Sequence, residues 1–175
     1  CTSLIEGMYN ATANTLVGDT VTYFLKLTDG VTVVDSAKAL VNSSGTAIPE
    51  FTKALPLTNY FLILKHRNSI ETWAATVITF SQLTNQTVYN FADAQSLAFG
   101  NNMIQVDTSP LKFAVYSGDV NQDRTVDATD VSLVDNDAAN FAAGYIATDL
   151  TGDNFVDATD FSIAVEYLHQ HENVS

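Results

Sequence analysis

The sequence predicts a mainly β chain, a sandwich over residues 1–116 followed over residues 117–175 by a small α module of two loop–helix units. Three observations point there. Short apolar runs alternate with turn residues through the first part, and no stretch in it has the length and periodicity of an amphipathic helix. From Asp119 the composition turns acidic and a repeat with a period of thirty residues begins. Each copy ends in an Asp-x-x-Asp spacing that runs into apolar residues, the arrangement that caps a helix N-terminus.

The clearest strand places Val21, Tyr23, Leu25 and Leu27 on one face and Thr22 and Lys26 on the other, and it closes at the turn dipeptide Asp29-Gly30. Val31 resumes a strand. A second hairpin is predicted from the apolar run 60–64, a polar turn at Arg67, Asn68 and Ser69, and the β-branched run 72–80. Further strands are expected at 4–9, 33–40, 88–91, 103–106 and 112–116. About seven strands at this spacing resemble the immunoglobulin or fibronectin type III sandwich. Trp73, alone within a strand, reads as a core residue.

With 46% hydrophobic and 15% charged residues, the 175-residue chain has a globular profile and is long enough to bury a core without staples. Its net charge of −13 excludes nucleic acid and anionic membrane as partners, because both would repel it. The acidity is local. Residues 1–116 carry eight acids and six bases, whereas residues 117–175 carry twelve acids and one base, Arg124. The single cysteine, Cys1, allows no internal disulfide; it is expected either to open the first strand as a small apolar residue or to carry a lipid anchor. No run approaches the roughly 18–20 apolar residues that span a bilayer. Asn10, Asn42, Asn85 and Asn173 each begin an Asn-x-Ser/Thr triplet, a glycosylation pattern suited to surface loops.

Residues 119–132 align with 149–162: Asp119/Asp149, Asp123/Asp153, Val126/Val156, Asp127/Asp157, Ala128/Ala158, Thr129/Thr159, Asp130/Asp160 and Ser132/Ser162 are shared. Each copy sets oxygen-bearing side chains at positions 1, 5, 9 and 12 of a twelve-residue loop, the ligand pattern of an EF-hand calcium loop. Calcium is a hard ion that takes six to eight oxygens, so carboxylates two to four residues apart on a wrapped loop can converge on it. The first loop offers Asp119, Asn121, Asp123, the Thr125 carbonyl, Asp127 and Asp130, and the second Asp149, Thr151, Asp153, the Phe155 carbonyl, Asp157 and Asp160. Two calcium ions are therefore expected. Val126 and Val156, at position 8, are expected to bridge the paired loops. Position 6 usually holds Gly for a positive φ, and here holds Arg124 and Asn154. Helix capping alone accounts for Asp127, Asp130, Asp157 and Asp160, but leaves Asp119, Asp123, Asp149 and Asp153 unexplained. Position 12 is Asp in both copies, where the EF-hand has Glu, and weak sites of about 10⁻⁵ to 10⁻³ M are expected.

Residues 118–168 resemble type I dockerins, through the Asp-Val-Asn-x-Asp opening at 119–123 and the two Ala-Thr-Asp closures. The resemblance implies a cohesin-like partner recognised through positions 10 and 11 of each loop, here Ala128, Thr129, Ala158 and Thr159, in either of two orientations. The basic residues that often follow on dockerin helices are missing: residues 131–140 hold Asp135, Asn136 and Asp137, and the second helix holds Glu166. The first part, with Leu4-Ile5-Glu6-Gly7-x-Tyr9-Asn10 and the run from Lys65 to Trp73, is similar to uncharacterised extracellular bacterial proteins in which a β domain precedes this calcium repeat. That likeness implies a secreted or cell-surface location.

No catalytic constellation is predicted. His66 has no nucleophile motif beside it, and His169 and His171, two apart, do not share a helix face. A carbohydrate-binding accessory module would lean on Trp73 and the surrounding tyrosines, because aromatic faces stack on sugars. The function expected is that of a non-catalytic extracellular calcium-binding structural protein, a self-assembling filament or cell-surface assembly subunit. Sandwich edges can accept a strand from a neighbour, and residues 1–9 could pair at home or be donated. A dockerin-type docking module and a sugar-binding module are the alternatives.

Overall fold

The computed structural model describes residues 1–172, with side chains to residue 167, so Asn173 and the side chains of His169 and His171 lie outside the described residues. The chain is mainly β with two helices. Two short strands, β1 (Tyr9–Asn10) and β2 (Thr15–Leu16), form a ribbon that the sequence did not announce. The predicted alternation becomes β3 (Asp19–Lys26), which runs antiparallel to β4 (Val33–Val41) and to β5 (Asn59–Lys65). Two short strands, β6 (Thr72–Trp73) and β7 (Ile78–Thr79), share the far edge of β5, giving a five-stranded sheet in which β4 is the other edge. A second ribbon pairs β8 (Ile104–Thr108) with β9 (Leu111–Ala114).

Side-chain period explains the core. Val21, Tyr23 and Leu25 are fully buried on one face of β3, opposite Leu62 and Leu64 of β5 and the small Ala37 and Ala39 of β4. Residues 4–8, 91–92 and 98–115 complete the same apolar cluster. The expected strand at 4–9 is instead an extended entry followed by a 3-10 turn over Glu6–Met8. That entry stays in its own fold: Thr2 bridges Thr46 and Asn90, Ile5 bridges Val115, and Leu4 and Ile5 are buried, so the segment is not held free for donation.

The run 72–80 is not one strand. Ala74 still donates to the Leu62 carbonyl of β5 while bridging Ala98, Ala75 turns away to donate to the Leu97 carbonyl, and strand pairing with β5 resumes at Ile78. Residues 88–91 contribute single contacts to Thr2 and no strand. Trp73 is not in the core either. It lies half-buried on the outer face beside Phe61, with Lys26 Nζ 4.5 Å above its ring and its Nε1–H bonded to Glu71. An indole already covered and bonded in this way is a poor sugar platform.

The two helices are α1 (Ala128–Ala139) and α2 (Ala158–Glu172). They enclose a second apolar cluster of Val120, Val134, Leu150, Val156 and Ala164. Among the described residues no helix is long and apolar enough to cross a membrane. The two clusters meet at a close backbone approach. A Cβ built on Gly7 would stand 2.5 Å from the Leu150 carbonyl oxygen and 3.2 Å from Ile163 Cδ1. Because that oxygen is main chain, Gly7→Ala must push the loop off the 3-10 turn, and a loss of about 1–3 kcal/mol is expected in urea unfolding; an unchanged midpoint would show that the two parts do not press on each other there.

Candidate metal centre

Each acidic loop is wrapped by its own hydrogen bonds, and the two copies use them in parallel. Asp119 and Asp149, at position 1, are buried. Asp119 accepts from the N–H groups of Asp123 and Arg124, both at 3.0 Å, and Asp149 from those of Gly152 (2.8 Å) and Asn154 (3.2 Å). At position 12, Asp130 Oδ1 accepts from Val120 (2.9 Å) and Asn121 (3.1 Å), while Asp160 Oδ1 accepts from Leu150 (2.8 Å) and Thr151 (2.9 Å). Asp123 and Asp153 accept from Thr125 and Phe155 two residues on. Asn121 Oδ1 accepts from the Asp123 N–H at 2.8 Å. Thr151 Oγ1 lies 3.4 Å from Asp149 Oδ1.

Helix capping and loop wrapping turn out to use the same atoms. Asp127 Oδ1 accepts from Thr129 N–H, and Asp130 Oδ2 accepts from Asp127 N–H, a complete capping box at the start of α1. Asp157 and Asp160 repeat both contacts at α2. The carboxylate at position 12 therefore closes the loop and begins the helix.

Backbone conformation completes the wrap. Arg124 and Asn154 take φ of 79° and 70°, so the expected left-handed residue at position 6 is present in both loops without glycine. Position 4 is left-handed too, at Gln122 (63°) and Gly152 (74°), which the sequence comparison missed because the two residues differ. The bridge expected between Val126 and Val156 is replaced. Phe155 pairs with Ala143, and Val156 N–H bonds the Ala142 carbonyl, because the linker between the repeats lies against the second loop.

All twelve sequence-predicted residues thus lie on two similarly wrapped loops. Asp119, Asp130, Asp149 and Asp160 are buried, whereas Asp123, Asp153 and Asp157 stand on the exposed rim with Thr125 and Phe155. Among the described residues no three carboxylate, imidazole or thiol side chains stand in cation-holding geometry; the carboxylates are turned to the loop N–H groups. Burial raises the Asp119 carboxyl above its ordinary range, and nearby Asp130 and Asp123 add to this against the loop N–H bonds. Clustered anions with hard oxygen donors of this kind fit calcium and not a thiophilic metal.

A second cluster, not found from the sequence, lies against the second loop. Asp19 Oδ2 lies 2.9 Å from Arg67 Nε and 3.0 Å from His66 Nε2, and its Oδ1 accepts from the Tyr145 hydroxyl at 2.6 Å. Burial opposes ionisation of Asp19, but His66, Tyr145 and Arg67 together hold its carboxyl well below the usual range. The Arg67 guanidinium lies 4.6 Å from the Tyr145 ring centre, donates to the Ile146 carbonyl and reaches Asp149 Oδ2 at 3.5 Å. Asn68 Nδ2 donates to the Asp149 carbonyl at 2.9 Å. Ser69 Oγ lies 3.1 Å from His66 Nδ1, so a Ser–His–Asp chain exists; the serine is fully buried, and its hydroxyl donates to Asn68 Oδ1 at 3.4 Å. The only sequence sign of this cluster was a basic turn, 65–67, in an acidic chain.

Two acidic loops, each running into a capped helix, define a paired loop–helix calcium module. Residues 117–169 match the family model for the dockerin type I domain, and such domains bind calcium. No curated protein and no solved structure matches the chain.

Replacing Arg124 by Gly removes a side chain from a left-handed position, and stability should rise by about 1 kcal/mol in denaturant titrations; a fall would mean that the arginine side chain holds the loop. Glu6 gives a pH signature. It accepts from Ser117 N–H at 2.9 Å, and burial, reinforced by Glu166 and opposed by that N–H, pushes its carboxyl up from 4.5 to about 7. A folded value above the unfolded one means that folding takes up a proton between them, so stability falls as pH rises through this window. From pH 5 to 8 in chelator the loss should be roughly 2–3 kcal/mol, and Glu6→Gln should flatten it; an equally steep Glu6→Gln curve would place the titration elsewhere.

Proposed function

We propose that the protein is an extracellular, non-catalytic docking subunit whose calcium-loaded module, residues 117–175, binds a cohesin-like partner. The observation that carries this reading is the exposure of Ala128, Thr129, Ala158 and Thr159 at the starts of α1 and α2. Residues 1–116 touch the other parts of the module, so both recognition pairs stay open to solvent. In this reading two calcium ions bind, one to Asp119, Asn121, Asp123, Thr125, Asp127 and Asp130, the other to Asp149, Thr151, Asp153, Phe155, Asp157 and Asp160. Calcium supplies the positive charge that offsets each acidic cluster. Residues 1–116 are read as an immunoglobulin- or fibronectin-like sandwich, the five-stranded sheet forming one wall and the entry segment with the β8–β9 ribbon the other.

A second reading, assembly of copies into a filament, has one supporting feature. Among the described residues no backbone hydrogen bond reaches β4 except those of its pairing with β3, and a groove of about 560 Å³ runs along Ala37, Leu40 and Ile48. Strand addition there would be heterologous and open-ended.

The test is capture of type I cohesin domains, with sedimentation of the protein alone, in millimolar calcium and in chelator. Docking predicts calcium-dependent capture that survives Thr129→Asp or Thr159→Asp alone and is lost when both are made, since either copy can serve. Calcium-dependent polymers without capture would favour the filament.

A further inference from the structure

The two loops are nearly equivalent in sequence and wrapping, yet they are not equivalently placed. At the first position of the second loop, Asp149 has a cation beside its carboxylate, with Arg67 Nη2 at 3.5 Å, and a donor on its main chain, Asn68 Nδ2 at 2.9 Å. At the first position of the first loop, Asp119 is just as buried, but among the described residues it makes no ion pair; its carboxylate is held by loop N–H groups and its carbonyl by Gln122 Nε2 of the same loop at 2.7 Å, with no side chain of the β region on it. The turn at residues 66–69 does touch the first loop region, through Gly118 N–H to the Asn68 carbonyl (2.7 Å), a Ser69–Ser117 bridge and Gln122 Nε2 to the Ser69 carbonyl (3.4 Å). All of those contacts are neutral.

Charge decides what this difference does. A loop that gathers carboxylates in a buried setting is self-repelling, and an ionised group left there without a counter-charge is costly. Arg67 is itself fixed in place. Its Nε is bonded to Asp19, its Nη1 to the Ile146 carbonyl and its plane lies against Tyr145, whose hydroxyl bonds Asp19 in turn. The guanidinium thus arrives at Asp149 already ordered, so little side-chain entropy is lost in holding it there.

Resting on the calcium reading above, we propose that the 66–69 turn is a built-in clamp for the second loop: Arg67 and Asn68 keep residues 149–160 folded without calcium, while residues 119–130 depend on the ion. Calcium then orders the module one loop at a time, and the second loop stays joined to the β region throughout. Arg67 and Asn68 are positioning residues, acting on the loop through Asp149.

Hydrogen exchange of the full chain, in chelator and in millimolar calcium, tests this. In chelator the amides of Val120, Asn121, Asp123 and Arg124 should lose protection by about tenfold or more, while those of Leu150, Thr151, Gly152 and Asn154 stay within about twofold of their calcium-loaded values. Arg67→Gln should bring the second loop down to the level of the first in chelator, and calcium should restore it; Arg67→Lys, which keeps the charge and loses the fork, should fall between. Should Arg67→Gln not fold, as judged by the amides of β3 and β5, Tyr145→Phe serves instead and should give a smaller loss in the same loop. Equal loss in both loops of the unmodified protein, or a second loop indifferent to Arg67 and Tyr145, overturns the clamp. Calorimetry judges the calcium reading separately: if no ion binds while the second loop stays better protected than the first and loses that protection in Arg67→Gln, the calcium reading and the first loop's dependence on the ion both fail, and only the hold of Arg67 and Asn68 on the second loop stands.

Discussion

A carboxylate taken out of water needs a counter-charge or several N–H donors, and Asp19, Asp119, Asp130, Asp149 and Asp160 are all buried in this molecule. Much of the architecture answers that need. The loops bend through left-handed residues at positions 4 and 6, which turns successive N–H groups toward the carboxylates of positions 1 and 12. The helices begin where they do because the carboxylate that closes each loop also completes the cap. Asp19 is met differently, by a histidine and an arginine of one turn and a tyrosine of the linker between the repeats.

The same requirement ties the two parts together. Arg67 belongs to the turn after β5, and its position there is set by a strand whose register with β3 places Lys65 opposite Thr22. From that turn it reaches both Asp19, at the start of β3, and Asp149, in the second loop. Close main-chain contact reinforces the ionic one, since Gly7 leaves no room for a side chain against Leu150. The module is therefore packed on the β region by charge, hydrogen bonds and shape at once, which a flexible tether would not require.

Legibility in the sequence followed the range of the interaction. Period-two patterning marked β3 and the apolar run marked β5, because burial on one face repeats along the chain and can be seen locally. The acidic repeat was plain for the same reason: its ligands, caps and turns lie within fourteen residues of one another. What stayed hidden was non-local. The break between β6 and β7 falls where Ala75 bonds Leu97, the half-buried place of Trp73 on the outer face depends on which face of β5 is covered, and the replacement of the Val126–Val156 bridge depends on where the linker lies. Asp19, His66, Arg67 and Tyr145 carry no motif, since their relation exists only once β3, the 66–69 turn and the linker are assembled. Their one trace, a basic turn in an acidic chain, was readable as ordinary surface charge.

Sequence symmetry within the module is broken by this packing, and that bears on recognition. A paired repeat on a loose tether would present its two helix starts as interchangeable. Here the linker and the opening of the second loop face Arg67, Asn68 and Tyr145's partner Asp19, while among the described residues the first loop region meets that turn through the main chain of Asn68 and Ser69. Ala128 and Thr129 therefore sit in a different setting from Ala158 and Thr159, although the local geometry at the two helix starts is the same to within the matching Ser132 and Ser162 hydroxyl bonds of 2.7 Å. A partner that reads only the helix starts would find two equal sites; one large enough to touch the β region would meet different neighbours in each orientation. The interaction that neutralises Asp149 is thus also the one that gives the repeat a direction.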